Sequence, residues 1–326
     1  MTILITGATG FLGTNIVLQC LEQGYDVRAF GLPGSTTKYI ERQGVELAFG
    51  DVASKEDVEK AMAGVDLVLH VAGDTGFWKK RFARQRRTNA EGPRTVMQAA
   101  LDAGVKRVVH TSTVDTFGYN PDGLTDETWT GFNYQGWGYN YAETKREGEK
   151  IALSFNEQGL EVVVINPGSM IGPFDHTLQF GRLFLDIKNH NVPGIPPGGA
   201  PWAYVEEVAK AHITALDKGR PGEKYICGGI NATYKEVFTR IAESIGMHPP
   251  KSVFPRWETV MFGYLAEFGA SFTGKPPSLN PGQARYMSVF PKYDSSKAIR
   301  ELGFQAVPLE QMVEAARDWY TANGFL

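Results

Sequence analysis

Tyr141-Ala142-Glu143-Thr144-Lys145 sets a phenol and an ammonium four residues apart, the spacing that brings both to one face of a helix. A cation beside a tyrosine favours phenolate and lowers a pKa that is about 10 in free solution. Such a pair can exchange a proton with a carbonyl or alcohol near neutral pH. Upstream, Thr111-Ser112-Thr113 closes a β-branched run. A hydroxyl there can hydrogen-bond the same substrate oxygen as charge develops on it, and Thr113 is assigned that role. The ordinary alternative for each of the three hydroxyls is capping of a turn.

A second constellation lies at the start of the chain. Thr6-Gly7-Ala8-Thr9-Gly10-Phe11-Leu12-Gly13 spaces three glycines three apart, directly after the apolar run Ile3-Leu4-Ile5. At a strand-to-helix turn, glycine permits a tight bend and close approach to a pyrophosphate, while the helix N-terminus supplies N–H groups and positive dipole. The end of the second strand, Arg28-Ala29-Phe30-Gly31-Leu32, lacks the carboxylate that would bind the 2′-hydroxyl of NAD, so NADP is the expected cofactor, with NAD still open. Arg28 and Lys38, with Ser35 and Thr36 between them, are either contacts for a 2′-phosphate or solvated cations. Asp51-Val52 is placed to approach the adenine, or Asp51 caps the helix that follows.

The elements that must position these groups follow from hydrophobic period. Strands are expected at Thr2–Thr6, Asp26–Phe30, Val45–Phe49, Leu67–His70, Val108–Thr111 and Glu161–Ile165. Helices are expected near 10–23, 55–63, 88–103 and 141–158. Alternation of this kind predicts a doubly wound α/β fold with a parallel, Rossmann-type sheet. After Pro167 the chain becomes rich in proline and glycine. Residues 1–166 therefore read as a dinucleotide-binding domain to which part of the later chain returns, and 167–326 mainly as a substrate-binding lobe. Trp129, Trp137, Trp202, Tyr204, Phe262, Tyr264, Phe268 and Phe272 are candidates for an apolar pocket there, or for its core. The stretch from Val260 to Phe272 reads as pocket cover: Glu267 and two glycines interrupt it, and it is shorter than the roughly 20 residues of a membrane span.

The bulk properties narrow the class of partner. A net charge of −3 carries no footprint for nucleic acid or an anionic membrane, so a small molecule is the expected partner. Cys20 and Cys227 have neither a disulfide-framework nor a zinc-site pattern, which predicts no metal and a reducing, cytoplasmic setting. No secretory leader or membrane span is expected from the sequence.

TGATGFLG at 6–13, HVAGD at 70–74, TNAEG at 88–92, HTSTVDTFG at 110–118, YAETK at 141–145 and NPGSMIGP at 166–173 together resemble an extended short-chain dehydrogenase/reductase. The texture is most similar to the dihydroflavonol-reductase-like and 3β-hydroxysteroid-dehydrogenase-like group, and YDSSKAIRELGF at 293–304 fits the same group. The resemblance implies a catalytic set of Thr113, Tyr141 and Lys145. It implies a cofactor held along Gly7, Thr9, Gly10, Phe11, Leu12, Gly13, Val71, Ala72, Gly73, Thr111, Pro167 and Gly168, with Lys145 on the nicotinamide ribose. Asp74, Thr75, Thr113 and Met170 would face substrate, and Asn89 would stand near the site or cap a helix. Serine is common in the group where Thr113 stands, and arginine is common at the place of Leu32 in its NADP-using members. The family also often forms homodimers through two long helices, here those near 88–103 and 141–158.

The function so implied is reversible reduction of a ketone or aldehyde to an alcohol. One alternative is a nucleotide-sugar epimerase or dehydratase, which would need phosphate-binding arginines among Arg182, Arg220, Arg240, Arg256 and Arg285. Another is a dinucleotide sensor without chemistry. The run from Trp78 to Arg87 carries six basic residues and no acid. Lys80, Arg84 and Arg87 share a helical face there, suited to an anionic group, a dimer partner or solvent.

Overall fold

The computed structural model describes residues 1–326. Through the first half, strands and helices alternate in the order β1 (Thr2–Thr6), α1 (Phe11–Glu22), β2 (Asp26–Gly31), β3 (Val45–Phe49), α2 (Lys55–Met62), β4 (Leu67–His70), α3 (Phe82–Arg86), α4 (Gly92–Asp102), β5 (Arg107–Thr111), α5 (Asn140–Ser154) and β6 (Glu161–Pro167). The second half continues with β7 (Ser169–Ile171), α6 (Gly181–Lys188), β8 (Gly199–Tyr204), α7 (Val205–Lys218), β9 (Lys224–Cys227), β10 (Ile230–Thr233), α8 (Tyr234–Ser244), α9 (Arg256–Thr273), α10 (Pro281–Tyr286), α11 (Ser296–Leu302) and α12 (Leu309–Ala322).

Seven strands pair in the order β3-β2-β1-β4-β5-β6-β9, every pair parallel, the doubly wound arrangement expected of the sequence pattern. Because side chains alternate across a strand, Ile3 and Ile5 enter the core beneath α1 and α7, while Leu4 enters the opposite core with Val58, Val96 and Val108. The later chain returns to this sheet: β9 runs beside β6, with Asn166 opposite Ile226, and α7 packs on α1. A smaller sheet, β10-β8-β7, anchors a second core around Trp202, Tyr234 and Tyr320.

The helix expected from 88 begins earlier. Between α3 and α4 the chain makes one wide π-helical turn over Arg87–Glu91. Pro93 explains it, since proline has no N–H to give the Asn89 carbonyl four residues back. α5 crosses close by at Gly148, where a Cβ would lie 1.9 Å from that carbonyl oxygen. This crossing sets the height of α5, and therefore of Tyr141 and Lys145, over the carboxyl ends of the strands.

Candidate active site

The strand ends open into a cleft of about 800 Å³, enough for a dinucleotide and a small substrate. Gly7, at φ +69°, turns the chain from β1 into α1 with its α-carbon against Ala72. A Cβ on Gly13 would stand 2.0 Å from the Gly7 oxygen, so only glycine lets the helix close down on the loop. No side chain caps α1, and its first residues Phe11, Leu12 and Gly13 line the cleft together with Thr9 and Gly10. An uncapped helix N-terminus at the floor of a glycine cradle fits a pyrophosphate. Beyond it the lining runs from Leu32, Ser35, Thr36, Asp51 and Val52 at one end, past Val71, Ala72 and Gly73, to Thr111, Pro167 and Gly168 at the other.

At that second end, the three consecutive hydroxyls have separate partners. Thr111 Oγ1 pairs with His212 Nε2 at 2.8 Å, and Ser112 Oγ donates to Glu149 Oε2 at 2.6 Å. Thr113 Oγ1 accepts only the backbone N–H of Asp115, at 3.3 Å, and lines the cleft with Tyr141 and Lys145. Capping and substrate contact are thus compatible for Thr113, because the cap uses a lone pair and leaves the hydroxyl proton free to donate.

Lys145 Nζ donates to the Thr111 carbonyl at 2.7 Å. Burial brings its pKa down to about 8, against the opposing charge of Glu149 one turn along. Burial also raises the Tyr141 phenol above its ordinary value, with the Asp115 charge adding to the rise and the nearby Thr113 hydroxyl opposing it. Burial and the Asp115 charge therefore act against the phenolate expected from the Tyr/Lys spacing. Asp115 is itself pushed up to about 6 by burial, with Tyr139 donating to it at 2.7 Å.

Glu149 is a residue the sequence reading missed. Besides Ser112 it accepts from Thr116 at 2.9 Å and Asn166 at 2.7 Å, tying β5, α5 and β6 together beneath the hydroxyl row. Its place one turn after Lys145 was the available signal. Asn89 stands near the site and caps no helix: it bonds both the N–H and the carbonyl of Asp74, at 2.8 and 2.9 Å, and so pins the loop after β4. That loop presents Asp74 and Thr75 to the cleft, which Met170 also lines.

Two expected phosphate contacts are not brought to the cleft. Arg28 lies mid-strand, and its guanidinium is taken by Glu46 at 2.9 Å and by the carbonyls of Ala61 and Ala63 at the end of α2. Lys38 is exposed, its ammonium 5.2 Å from the centre of the Tyr39 ring, and does not line the cleft. Nor does Asp51 cap α2, a role Ser54 takes; Asp51 pairs with Arg87 at 2.5 Å. Arg84 and Arg87 are the members of the basic run that reach the cleft, and Arg84 stands 3.3 Å from Asp74.

The aromatic candidates are also redistributed. Trp202 is core, donating to the Ala232 carbonyl, and Tyr264, Phe268 and Phe272 stand on the outer side of α9. α9 cannot cover a pocket with those side chains, because its inward residues are the small Thr259, Gly263 and Ala270. The rings beside Tyr141 are instead Phe77 at 6.3 Å and Tyr139 at 6.2 Å, with Tyr286 stacked on Tyr139 at 4.9 Å. No group of three or more His, Cys, Asp or Glu side chains is arranged to hold a metal ion.

The model of the NAD dependent epimerase/dehydratase family matches residues 3–228. A "Putative dihydroflavonol 4-reductase" of Synechocystis is 29% identical over 99% of this chain and 95% of its own length. "Sterol demethylase protein B" of Methylococcus capsulatus is 30% identical over the whole of both chains. Among solved structures, gox2253 superposes with a TM-score of 0.85 at 30% identity, over 100% of this chain and 99% of that one.

Proposed function

The chain belongs to the NAD dependent epimerase/dehydratase family, and within it we propose that this NAD(P)-dependent oxidoreductase reversibly reduces an apolar ketone or aldehyde to the alcohol. The separate commitments of the three hydroxyls carry the reading: Thr111 and Ser112 are engaged by buried side chains, and Thr113 alone offers a proton beside Tyr141 and Lys145.

The nicotinamide, when bound, supplies hydride to the carbonyl carbon. Tyr141, kept protonated by burial, gives its proton to the carbonyl oxygen, and Thr113 donates a hydrogen bond to the same oxygen as charge builds there. Lys145 offsets the phenolate left behind and would hold the nicotinamide ribose; Gly7, Gly10 and the start of α1 would hold the pyrophosphate. Phe77, Tyr139 and Tyr286 make the surroundings of Tyr141 aromatic, which favours an apolar substrate.

NADPH is the proposed reductant. No carboxylate follows β2 to repel a 2′-phosphate, and the hydroxyls of Ser35 and Thr36 line that end of the cleft. With Arg28 and Lys38 elsewhere, the preference over NADH should be modest. Self-association through α4 and α5 belongs to the same proposal, and light scattering tests it.

An epimerase acting on a sugar nucleotide would draw phosphate contacts from the second half. Arg182 pairs with Asp186, Arg220 with Glu301 and Arg240 with Glu243, Arg285 bonds the Trp137 carbonyl, and neither these nor Arg256 lines the cleft. The deciding experiment titrates purified protein with NADPH and NADH, then follows nicotinamide fluorescence with a panel of apolar ketones and aldehydes. Oxidation by one carbonyl class supports the reductase. A cofactor that co-purifies, never exchanges and is not oxidised by any of them would transfer the assignment to an epimerase, and exchangeable binding without turnover to a sensor.

A further inference from the structure

α9 carries an apolar surface that the proposed chemistry does not use. At about 100° per residue, Trp257, Met261, Tyr264, Leu265, Phe268 and Phe272 fall in one stripe about 100° wide along the helix. All six are 43 to 76% exposed. The opposite side, Thr259, Gly263 and Ala270, is buried; Gly263 lies against the backbone of Asn280 at the start of α10. A helix that shows its small residues to the protein and its large ones outward is inverted relative to an ordinary surface helix.

The margins of the stripe are basic. Lys251, Arg256 and Lys275 are exposed around it, and the Arg285 guanidinium sits 5.9 Å from the Tyr264 ring with a hydrogen bond of 2.8 Å to its hydroxyl. Asn280 bonds the Phe77 carbonyl and so holds the exposed Lys79, Lys80 and Arg81 next to the same hairpin. Two acids, Glu258 and Glu267, lie half-buried at the sides of the helix, outside the stripe. The chain as a whole is negative, so this local positive charge is set against the average.

We propose that the outer stripe of α9 and its basic margin dock this protein peripherally on an anionic phospholipid bilayer. The apolar side chains enter the boundary between headgroups and acyl chains, Trp257 and Tyr264 lie at the level where such rings are favoured, and the lysines and arginines meet lipid phosphates. No helix of the chain is long and apolar enough to cross the membrane, so the attachment is to one face. α10, against which α9 packs, reaches the active-site region through Gly282 on Gly138 and Tyr286 on Tyr139, two residues before Tyr141.

Co-flotation of the full chain with phosphatidylcholine vesicles, with and without phosphatidylglycerol, tests this apart from any turnover. Binding to the phosphatidylglycerol vesicles is expected, weakened roughly fivefold for each of Lys79, Lys80 and Arg81 changed to Gln. The triple variant Trp257→Ser, Phe268→Ser, Phe272→Ser should bind about a hundredfold more weakly with unchanged thermal melting, since the three side chains stand largely in solvent. Absence of the wild-type chain from the floated phosphatidylglycerol fraction overturns the proposal. So does light scattering in which the serine variant turns a dimer into a monomer without vesicle binding, which would make the stripe a subunit interface. Equal binding to neutral vesicles overturns the role given to the basic margin.

Discussion

Replacing Glu149 by leucine should damage the fold more than any change to the groups that touch substrate. The carboxylate is 4% exposed and accepts from Ser112, Thr116 and Asn166 at 2.6 to 2.9 Å, with Lys224 at 3.5 Å. Each buried hydrogen bond to a charged acceptor contributes about 1.5–3 kcal/mol; leucine removes all three and leaves Ser112 without a partner, while Thr116 and Asn166 keep their bonds to the Thr113 carbonyl. Lys224 keeps some access to water and the new side chain adds apolar contact, which brings the net loss to ~3–5 kcal/mol. With an unfolding entropy of roughly 2.1 cal/mol/K per residue over the whole chain, the melting temperature should fall by about 4–7 °C in scanning calorimetry. Glu149→Gln retains an acceptor and the shape, and should lose roughly half as much. Glu143→Leu, on the exposed face of the same helix, should stay within about 0.5 kcal/mol of the parent. A leucine variant at 149 that melts with the Glu143 control would refute the idea that this carboxylate joins β5, α5 and β6.

Tyr141→Phe should lower turnover about 10²–10⁴-fold while the NADPH titration is unchanged; retained turnover would exclude the phenol as the proton donor. For Lys145, whose pKa falls from 10.5 to about 8 on folding, the unfolded chain binds the extra proton between those values. Stability should therefore rise with pH across that window, and urea midpoints of Lys145→Met should lack the rise, the variant being inactive and more stable below pH 8. In Gly13→Ala the new methyl meets the Gly7 oxygen, so NADPH affinity should drop by at least about tenfold, read by fluorescence titration, and melting should fall with it.

Much of the fold was legible because it is written in short stretches of chain. Alternating β-branched runs and helical periods located β1 to β6 and, between them, α1, α2, α4 and α5, and the glycine spacing located the β1–α1 turn, since each depends on backbone preferences within a few residues. The Tyr141/Lys145 spacing was readable for the same reason: one turn of helix fixes it. The sequence could not say which partner a side chain would find across the sheet. Arg28 looked free for a phosphate, yet the β2–β3 register sets it opposite Glu46. Nothing local marked β9, more than fifty residues after β6, as the strand that would pair with it. The exposed rings of α9, the partly buried ring of Phe77 and the buried rings of Tyr139 and Tyr286 are equally aromatic, and only packing separates them. The setting of Tyr141 was decided in the same way: spacing brought a cation near the phenol, and the burial imposed by distant elements raises its pKa. Local sequence chose the elements and the reactive groups; tertiary contacts, by fixing solvent access and charge partners, chose what those groups can do.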